Sequence, residues 1–313
     1  MGAISAPISI RGHSIALSAC AGVSAVVPSD AGEVSSLRYA SDALAEARRH
    51  SANSVVVCEA ADRNRVDQRA SIGRELFDAL AMGRLRIACQ PIVDLEDSEV
   101  IALEALMRWR TDDGRDISPG EFIPLAERNG VIGPVGRWGI DEAIRIASTL
   151  KSTPDSKRRL TMTVNLSPTQ FADPELVGRV EQALVAHHLP PRLLAFEITE
   201  SVAVDLARAD KRIRSLRSLG CLVGIDDFGV GQSCPSYLAT LPIDFIKIDL
   251  SFVRAMDSDP RALRIVQSIV EMSYDLGLIT VAEGIETQSQ RDALREMGCI
   301  FGQGYLFGRP KIY

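Results

Sequence analysis

From about Ile72 onward the chain repeats one pattern: a short apolar run, a polar turn, then an amphipathic helical stretch. The strand candidates are Leu85–Val93, Val100–Trp109, Leu160–Leu166, Leu193–Ile198, Leu222–Asp226, Phe245–Asp249, Leu278–Glu283 and Ile300–Leu306. Start signals for the intervening helices are strong. Ser118-Pro119-Gly120-Glu121 supplies an N-cap serine, a proline at the first helical position and a capping-box glutamate. Asp173-Pro174 and Asp259-Pro260 repeat the cap-then-proline device, and Asn129-Gly130 and Leu219-Gly220 read as helix stops. Strands alternating with helices imply a largely parallel sheet, and about eight of them in roughly 240 residues suit a closed (β/α)8 barrel better than an open sheet. Only a short polar segment separates the first two strands, so that pair is expected to run antiparallel.

The beginning of the chain is different. Residues 1–60 hold an apolar strand, a Pro28-Ser29-Asp30-Ala31-Gly32 turn, a helix over Glu33–His50 and a short Val55-Val56-Val57 strand. Leu37, Ala40, Ala43, Leu44 and Ala47 fall on one face of that helix. This is too little to bury a core alone, and it reads as the closing part of a domain. The charged stretch Asp62–Asp67 places a linker over 61–71, and the barrel takes 72–313. The expected fold is therefore α/β: a TIM-like barrel preceded by a small α/β piece.

Composition narrows the chemistry. A formal charge of -6 argues against a nucleic-acid polymer as partner. The six cysteines form no C-x-x-C pair, and the four histidines form no H-x-x-x-H or H-x-H pattern, so zinc chemistry and a Ser-His-Asp triad lack their materials. Reduced, mostly buried thiols in a cytoplasmic chain are expected. Ser14–Val27 follows Arg11 in the manner of a signal peptide, but its serines and cysteine suit a buried strand better. No run approaches the roughly 20 apolar residues of a membrane-spanning helix.

The barrel strands end on polar groups almost one after another. The second carries Glu104, the third ends in Asn165, and the fourth delivers Glu197 and then Glu200. The fifth runs into Asp226-Asp227, the sixth holds Lys247 and Asp249, the seventh ends in Glu283 with Glu286 beyond, and the eighth contains Gln303. One polar strand end is ordinary. Several carboxylates gathered at one barrel mouth require a positive charge between them, because burying an unpaired charge costs several kcal/mol. Carboxylates and an amide oxygen, without His or Cys, suit Mg²⁺ or Mn²⁺. Asp226 and Asp227 fit a two-ion site, with ions ~3.5–4 Å apart, of the kind that hydrolyses phosphodiesters. Lys247 then either holds the attacking water, neutralises phosphate charge, or simply pairs with Asp249.

These residues also resemble a known family, the EAL domains. Gln90-Pro91-Ile92 precedes Glu104-Ala105-Leu106-Met107-Arg108-Trp109, followed by Ser118-Pro119, Phe122-Ile123-Pro124-Leu125-Ala126-Glu127 and Val164-Asn165-Leu166-Ser167. Then come Glu197-Ile198-Thr199-Glu200, Asp226-Asp227-Phe228-Gly229, Lys247-Ile248-Asp249, Ala282-Glu283-Gly284-Ile285-Glu286-Thr287 and Gln303-Gly304-Tyr305. The resemblance covers about residues 70–310 and implies hydrolysis of cyclic di-GMP to linear pGpG with Mg²⁺ or Mn²⁺. It implies that Glu104, Asn165, Glu197 and Asp226 bind metal, with Asp226 bridging to a second ion shared with Asp227. Lys247, Glu283 and Asp227 would serve catalysis, the first two acting on the water. Gln90, Leu106, Arg108 and Gln303 would meet or orient substrate. Glu200, Asp249 and Glu286 would support the site, Glu200 by steadying the loop after the fifth strand.

The same comparison extends to the beginning of the chain. Leu37-Arg38-Tyr39-Ala40-Ser41-Asp42-Ala43-Leu44, Ala47-Arg48-Arg49 and Asn53 resemble the closing helix and strand of a GGDEF (diguanylate cyclase) domain, with Ser51 and Ala52 in place of the usual Gly and Arg. No G-G-D-E-F signature occurs, so cyclic di-GMP synthesis is not expected of this chain. The loop after the fifth strand departs from the EAL pattern D-D-F-G-[TA]-G-Y-S-S-L: Val230 removes a possible hydroxyl, Gln232 removes an aromatic, and Pro235 fixes its own φ and disfavours the α region at Cys234. In the family this loop links metal binding to a homodimer interface. The resemblance thus leaves a second reading beside the enzyme: a weak or inactive cyclic di-GMP receptor acting through protein partners. The expected compartment is the cytoplasm, and a membrane tether upstream is compatible with it.

Overall fold

A computed structural model describes residues 8–10, 13–15, 18–25, 33–50, 53–59, 75–111, 113–150, 159–203, 206–230 and 238–313. The expected linker over 61–71 and the turn over 28–32 lie outside them. The chain divides into two units, Met1–Phe77 and Asp78–Tyr313.

In the first unit β1 (Ile8–Ile10) and β2 (His13–Ile15) pair antiparallel. A parallel pair, β3 (Ala21–Ser24) and β4 (Val55–Cys58), is connected through α1 (Glu33–His50). The buried stripe of α1 is Tyr39, Ala43 and Ala47, at i, i+4 and i+8. Leu37, expected on that face, is 74% exposed. The reason is a close approach. A Cβ at Gly22 would collide with Ala40 O and Leu44 N, so the helix rests its Ala40–Leu44 turn directly on β3 and rotates Leu37 outward.

A short helix, α2 (75–81), precedes the barrel. Its strands are β5 (Leu85–Asp94), β6 (Val100–Arg110), β8 (Thr161–Leu166), β9 (Leu194–Thr199), β10 (Leu222–Phe228), β11 (Phe245–Ile248), β12 (Ile279–Ala282) and β13 (Phe301–Gln303). Each falls within a few residues of its expected span. The hydrogen-bonded order β5-β13-β12-β11-β10-β9-β8-β6 closes through β5–β6 pairing, giving an eight-stranded ring. As expected, β5 runs antiparallel to β6; it is also antiparallel to β13. Two short strands, β7 (Asp116–Ile117) and β14 (Lys311–Ile312), extend the sheet beside β6 and β5.

Around the ring lie α3 (Pro119–Arg128), α4 (Ile132–Thr149), α5 (Pro168–Ala172), α6 (Leu176–Ala186), α7 (Glu200–Ala203), α8 (Leu206–Ser218), α9 (Leu250–Ala255), α10 (Pro260–Asp275) and α11 (Gln288–Glu296). The main core lies between strands and helices, with Ile144, Met162, Phe196, Ile225, Ile246 and Val266 fully or almost fully buried. Asp259 caps α10 as expected, accepting from Arg261 N at 2.8 Å. Two start signals act differently. Ser118 precedes α3 but its side chain makes no cap bond; its carbonyl instead accepts from Glu121 N and Phe122 N. Asp173 closes α5 and holds Glu175 N at 3.0 Å, so α6 begins only at Leu176.

Inside the barrel, Ile92, Ala102, Ala195, Phe245 and Val281 form a separate apolar layer. Gly224 leaves room for it: a Cβ there would overlap the Phe245 ring. Above this layer, toward the carboxyl ends of the parallel strands, the interior turns polar.

Candidate active site

Lys247 is the centre of that polar layer. It sits on β11 with 0% exposure, and an isolated amine buried so deeply would lose its charge. Four carboxylates prevent this. Its Nζ lies 2.5 Å from Glu283 Oε1, 3.0 Å from Glu197 Oε2, 3.3 Å from Asp226 Oδ1 and 3.6 Å from Glu104 Oε2. Burial works against the charge, but Asp226, Glu104, Glu197 and Glu283 outweigh it and hold the amine's pKa well above its usual value. The simpler pairing of Lys247 with Asp249 does not occur: Asp249 caps α9, accepting from Ser251 N at 2.8 Å.

Alternation along β6 puts Glu104, Leu106 and Arg108 on one side of the strand. Glu104 is the best satisfied of the acids. Oε1 accepts from Asn165 Nδ2 at 2.7 Å and Oε2 from Gln303 Nε2 at 2.6 Å. Burial pushes its carboxyl up, yet Lys247 and the Gln303 and Asn165 bonds bring it below its ordinary value. Gln303 also donates to Gln90 Oε1 at 3.1 Å, and Gln90 donates to Gly308 O at 3.2 Å. The register that pairs Gln90 with Glu104 places both at one level of the ring.

Asp226 and Asp227 are adjacent on β10, so in a regular strand they would face opposite sides. The β10–β11 register shifts between Ile225 and Phe228, and Asp227 has φ 53, in the left-handed region that Asp tolerates better than most residues. The irregularity turns both carboxylates to the mouth. Oxygens of Asp226, Asp227 and Glu283 all lie within 4.8 Å of one another. Burial, then the neighbouring Asp226 and Asp249, raises Asp227 to about 6. Burial also raises Glu283 to about 7, against the pull of Lys247 and with the push of Asp226 and Glu104. Glu197, 1% exposed, is raised well above its ordinary value by burial, which Lys247 offsets only in part against Glu104, Asp226 and Glu283.

The five carboxylates Glu104, Glu197, Asp226, Asp227 and Glu283 thus face one ammonium group, a local excess of negative charge. Glu197 Oε1 is sealed from water and accepts no hydrogen bond among the described residues, and the equally sealed Asp226 Oδ1 has only the Lys247 ammonium, at 3.3 Å, to offset its charge. Buried oxygens of that kind are costly. A hard divalent cation fits them: the donors are all oxygens, the acids outnumber the one ammonium, and the unpartnered Glu197 Oε1 belongs to an expected ligand.

The remaining expected residues are distributed around this centre. Asn165 is exposed at the mouth, and Glu200 is buried at the start of α7. Glu286 pairs with Arg254 at 2.8 Å, and Arg108 turns Nη1 to its neighbour's Met107 O. A cavity of 190 Å³ opens beside the acids, lined by Gln90, Glu104, Leu106, Glu283 and Gln303 together with Arg254 and Tyr305. Arg108 is absent from that lining. Tyr305 entered the sequence reading only as the end of Gln303-Gly304-Tyr305, with no role, and Arg254 not at all; its available signal was its place on the helix that Asp249 caps. Val230 is 61% exposed, and Gly231–Pro235 of the altered loop lie outside the described residues.

Fold and site together define a closed α/β barrel with a cation-seeking acidic mouth. The EAL domain profile matches residues 73–310, and the chain belongs to that family. MucR of Pseudomonas aeruginosa, a bifunctional diguanylate cyclase/cyclic di-GMP phosphodiesterase, is 36% identical over 309 residues, covering 98% of this chain and 45% of that protein. The cyclic di-GMP phosphodiesterase NbdA of the same organism is 35% identical over 306 residues, covering 97% and 39%. The solved PaMucR phosphodiesterase in complex with c-di-GMP superposes with a TM-score of 0.73 at 38% identity, covering 77% of this chain and 97% of that one. The chain spans less than half the length of these curated relatives. No helix among the described residues is long and apolar enough to cross a membrane.

Proposed function

We propose that the barrel hydrolyses cyclic di-GMP to pGpG with Mg²⁺ or Mn²⁺. The observation that carries this reading is the set of four carboxylates around buried Lys247, with Asp227 beside Asp226 and Glu283 as a fifth and the buried Glu197 Oε1 without a hydrogen-bond partner among the described residues. Likeness to cyclic di-GMP phosphodiesterases supports the substrate.

In this reading Glu104, Asn165, Glu197 and Asp226 would hold one ion, and Asp226 and Asp227 would hold a second. When bound, the cations polarise the phosphodiester and lower the pKa of a coordinated water. Lys247, held as an ammonium, would hydrogen-bond and orient the attacking water, and Glu283, in direct contact with it, would take up that water's proton. Asp249 supports Asp227, and Glu200 steadies the loop after β10. Gln90, Leu106, Arg108 and Gln303 meet the substrate, with Glu286 steadied by Arg254. The cavity of 190 Å³ is below the ~300–1,000 Å³ of typical ligand pockets. It therefore receives part of a cyclic dinucleotide while the rest lies over the open mouth.

The test is incubation of the purified chain with cyclic di-GMP and either metal, with products followed by chromatography. Formation of pGpG that stops on chelation and in Glu104→Ala is expected. Tight binding without pGpG under either metal would replace the enzyme with a receptor. For the first unit, the β3-α1-β4 arrangement and an alignment to MucR that covers 98% of the chain support a GGDEF-derived segment over residues 1–60.

A further inference from the structure

The opposite end of the barrel has a cavity that the acidic mouth does not use. It measures about 540 Å³ and is lined by Leu222, Phe245, Ile279 and Phe301, the first residues of β10, β11, β12 and β13. Ile92, Ala102, Ala195 and Val281 complete an apolar wall. This volume lies within the ~300–1,000 Å³ range of small-molecule sites, and it is larger than the cavity at the mouth.

Three polar features interrupt the wall. Thr163 lines the cavity, is 4% exposed, and its Oγ1 has no hydrogen-bond partner among the described residues. Arg159, just before β8, and Arg192, in the turn before β9, line the cavity yet are exposed, which puts them where it meets solvent. Neither pairs with a carboxylate among the described residues. Other arginines at this end are engaged: Arg217 holds Asp244 at 2.8 Å. The nearby Asp94 caps its own turn, accepting from Glu96 N at 2.9 Å. Two guanidinium groups with no carboxylate partner among the described residues, beside an apolar hollow, complement a molecule with a greasy body and an anionic head. Guanidinium groups bind carboxylates through paired, charge-assisted hydrogen bonds.

We propose that this cavity binds a medium-chain carboxylate, its chain against the Ile92, Phe245 and Phe301 wall and its head group between Arg159 and Arg192. The site is independent of the cyclic di-GMP reading and faces away from the acidic ring.

Isothermal titration calorimetry of the full chain with decanoate and with decan-1-ol tests it. Decanoate should bind saturably at one site, and decan-1-ol at least about tenfold more weakly, because losing charge-assisted bonds to the arginines costs roughly 1.5–3 kcal/mol. The double variant Arg159→Ala/Arg192→Ala should bring decanoate down to the alcohol's affinity. Ile279→Trp, which fills the mouth and keeps both arginines, should abolish binding of either ligand. Circular dichroism melts establish that each variant is folded. Absence of saturable binding, equal affinity for acid and alcohol, or binding that survives Ile279→Trp would each overturn the proposal.

Discussion

Lys247 Nζ lies 2.5 Å from Glu283 Oε1 and 3.0 Å from Glu197 Oε2, deep in a ring that neither strand periodicity nor composition would fill with charge. Removing one partner of a buried ionic cluster costs roughly 3–5 kcal/mol, because the other charges stay buried without it. Lys247→Met should therefore lower stability by an amount of that order in EDTA and abolish hydrolysis. Mn²⁺ should recover part of the stability and none of the activity. Denaturant melts with and without metal measure both, and unchanged stability in EDTA would contradict the central role given to this amine.

The metal-free chain should lose stability as pH rises through neutrality. Glu283 at about 7 and Asp227 at about 6 bind protons more tightly folded than unfolded. A carboxyl whose folded pKa is raised stabilises the fold fully below its unfolded pKa, and that contribution disappears as pH climbs through the folded one. Thermal melts in EDTA should thus show Tm falling between about pH 5 and about pH 8. Cations bind the ionised acids, so Mn²⁺ should flatten or reverse the slope. A Tm rising with pH in EDTA would contradict the assignment.

Gln303→Ala tests the support of Glu104. It removes the 2.6 Å bond to Glu104 Oε2 and the 3.1 Å bond to Gln90 Oε1 at once. Losing partners that orient a metal ligand typically costs about 10–100-fold in metal affinity or activity. The expected result is a metal-activation curve displaced to higher Mn²⁺ by that factor. A curve that keeps its midpoint would show that Asn165 alone orients Glu104.

How much of this was legible beforehand depends on the range of the interactions. The barrel strands could be read because short apolar runs, caps and glycine stops are local signals, as at Asp259-Pro260 and Asn129-Gly130. The inventory of acids was legible for the same reason. The partners of Lys247 were not, since Glu104 and Glu283 lie far from it in sequence and meet it only once the ring closes. Nor was the turning of Asp227, which depends on a register shift against β11. Leu37 was misplaced because Gly22, on another element, sets the rotation of α1.

Arg254 separates binding from folding. Its bond to Glu286 at 2.8 Å joins side chains that are 54% and 43% exposed. Exposed pairs contribute only ~0–1 kcal/mol, so Arg254→Ala should leave Tm almost unchanged. Because Arg254 lines the cavity beside the acids, the same variant should raise KM for cyclic di-GMP several-fold while kcat changes less. Steady-state kinetics beside a melt distinguish the two, and an unchanged KM would place Arg254 outside the substrate's reach.

Gly224 makes the last prediction, because it concerns the barrel and not its chemistry. The residue is not in the left-handed region, so an alanine there carries no backbone strain. The obstacle is the Phe245 ring, which occupies the space a Cβ would take. Forcing extra volume into a packed interior costs roughly 1–3 kcal/mol, and Gly224→Ala should lower stability by about that much. If the ring is the cause, Phe245→Leu should relieve it: the double variant would be more stable than the sum of the two single changes predicts. Strict additivity in a denaturant double-mutant cycle would show that Gly224 is needed for some reason other than the space it leaves to Phe245.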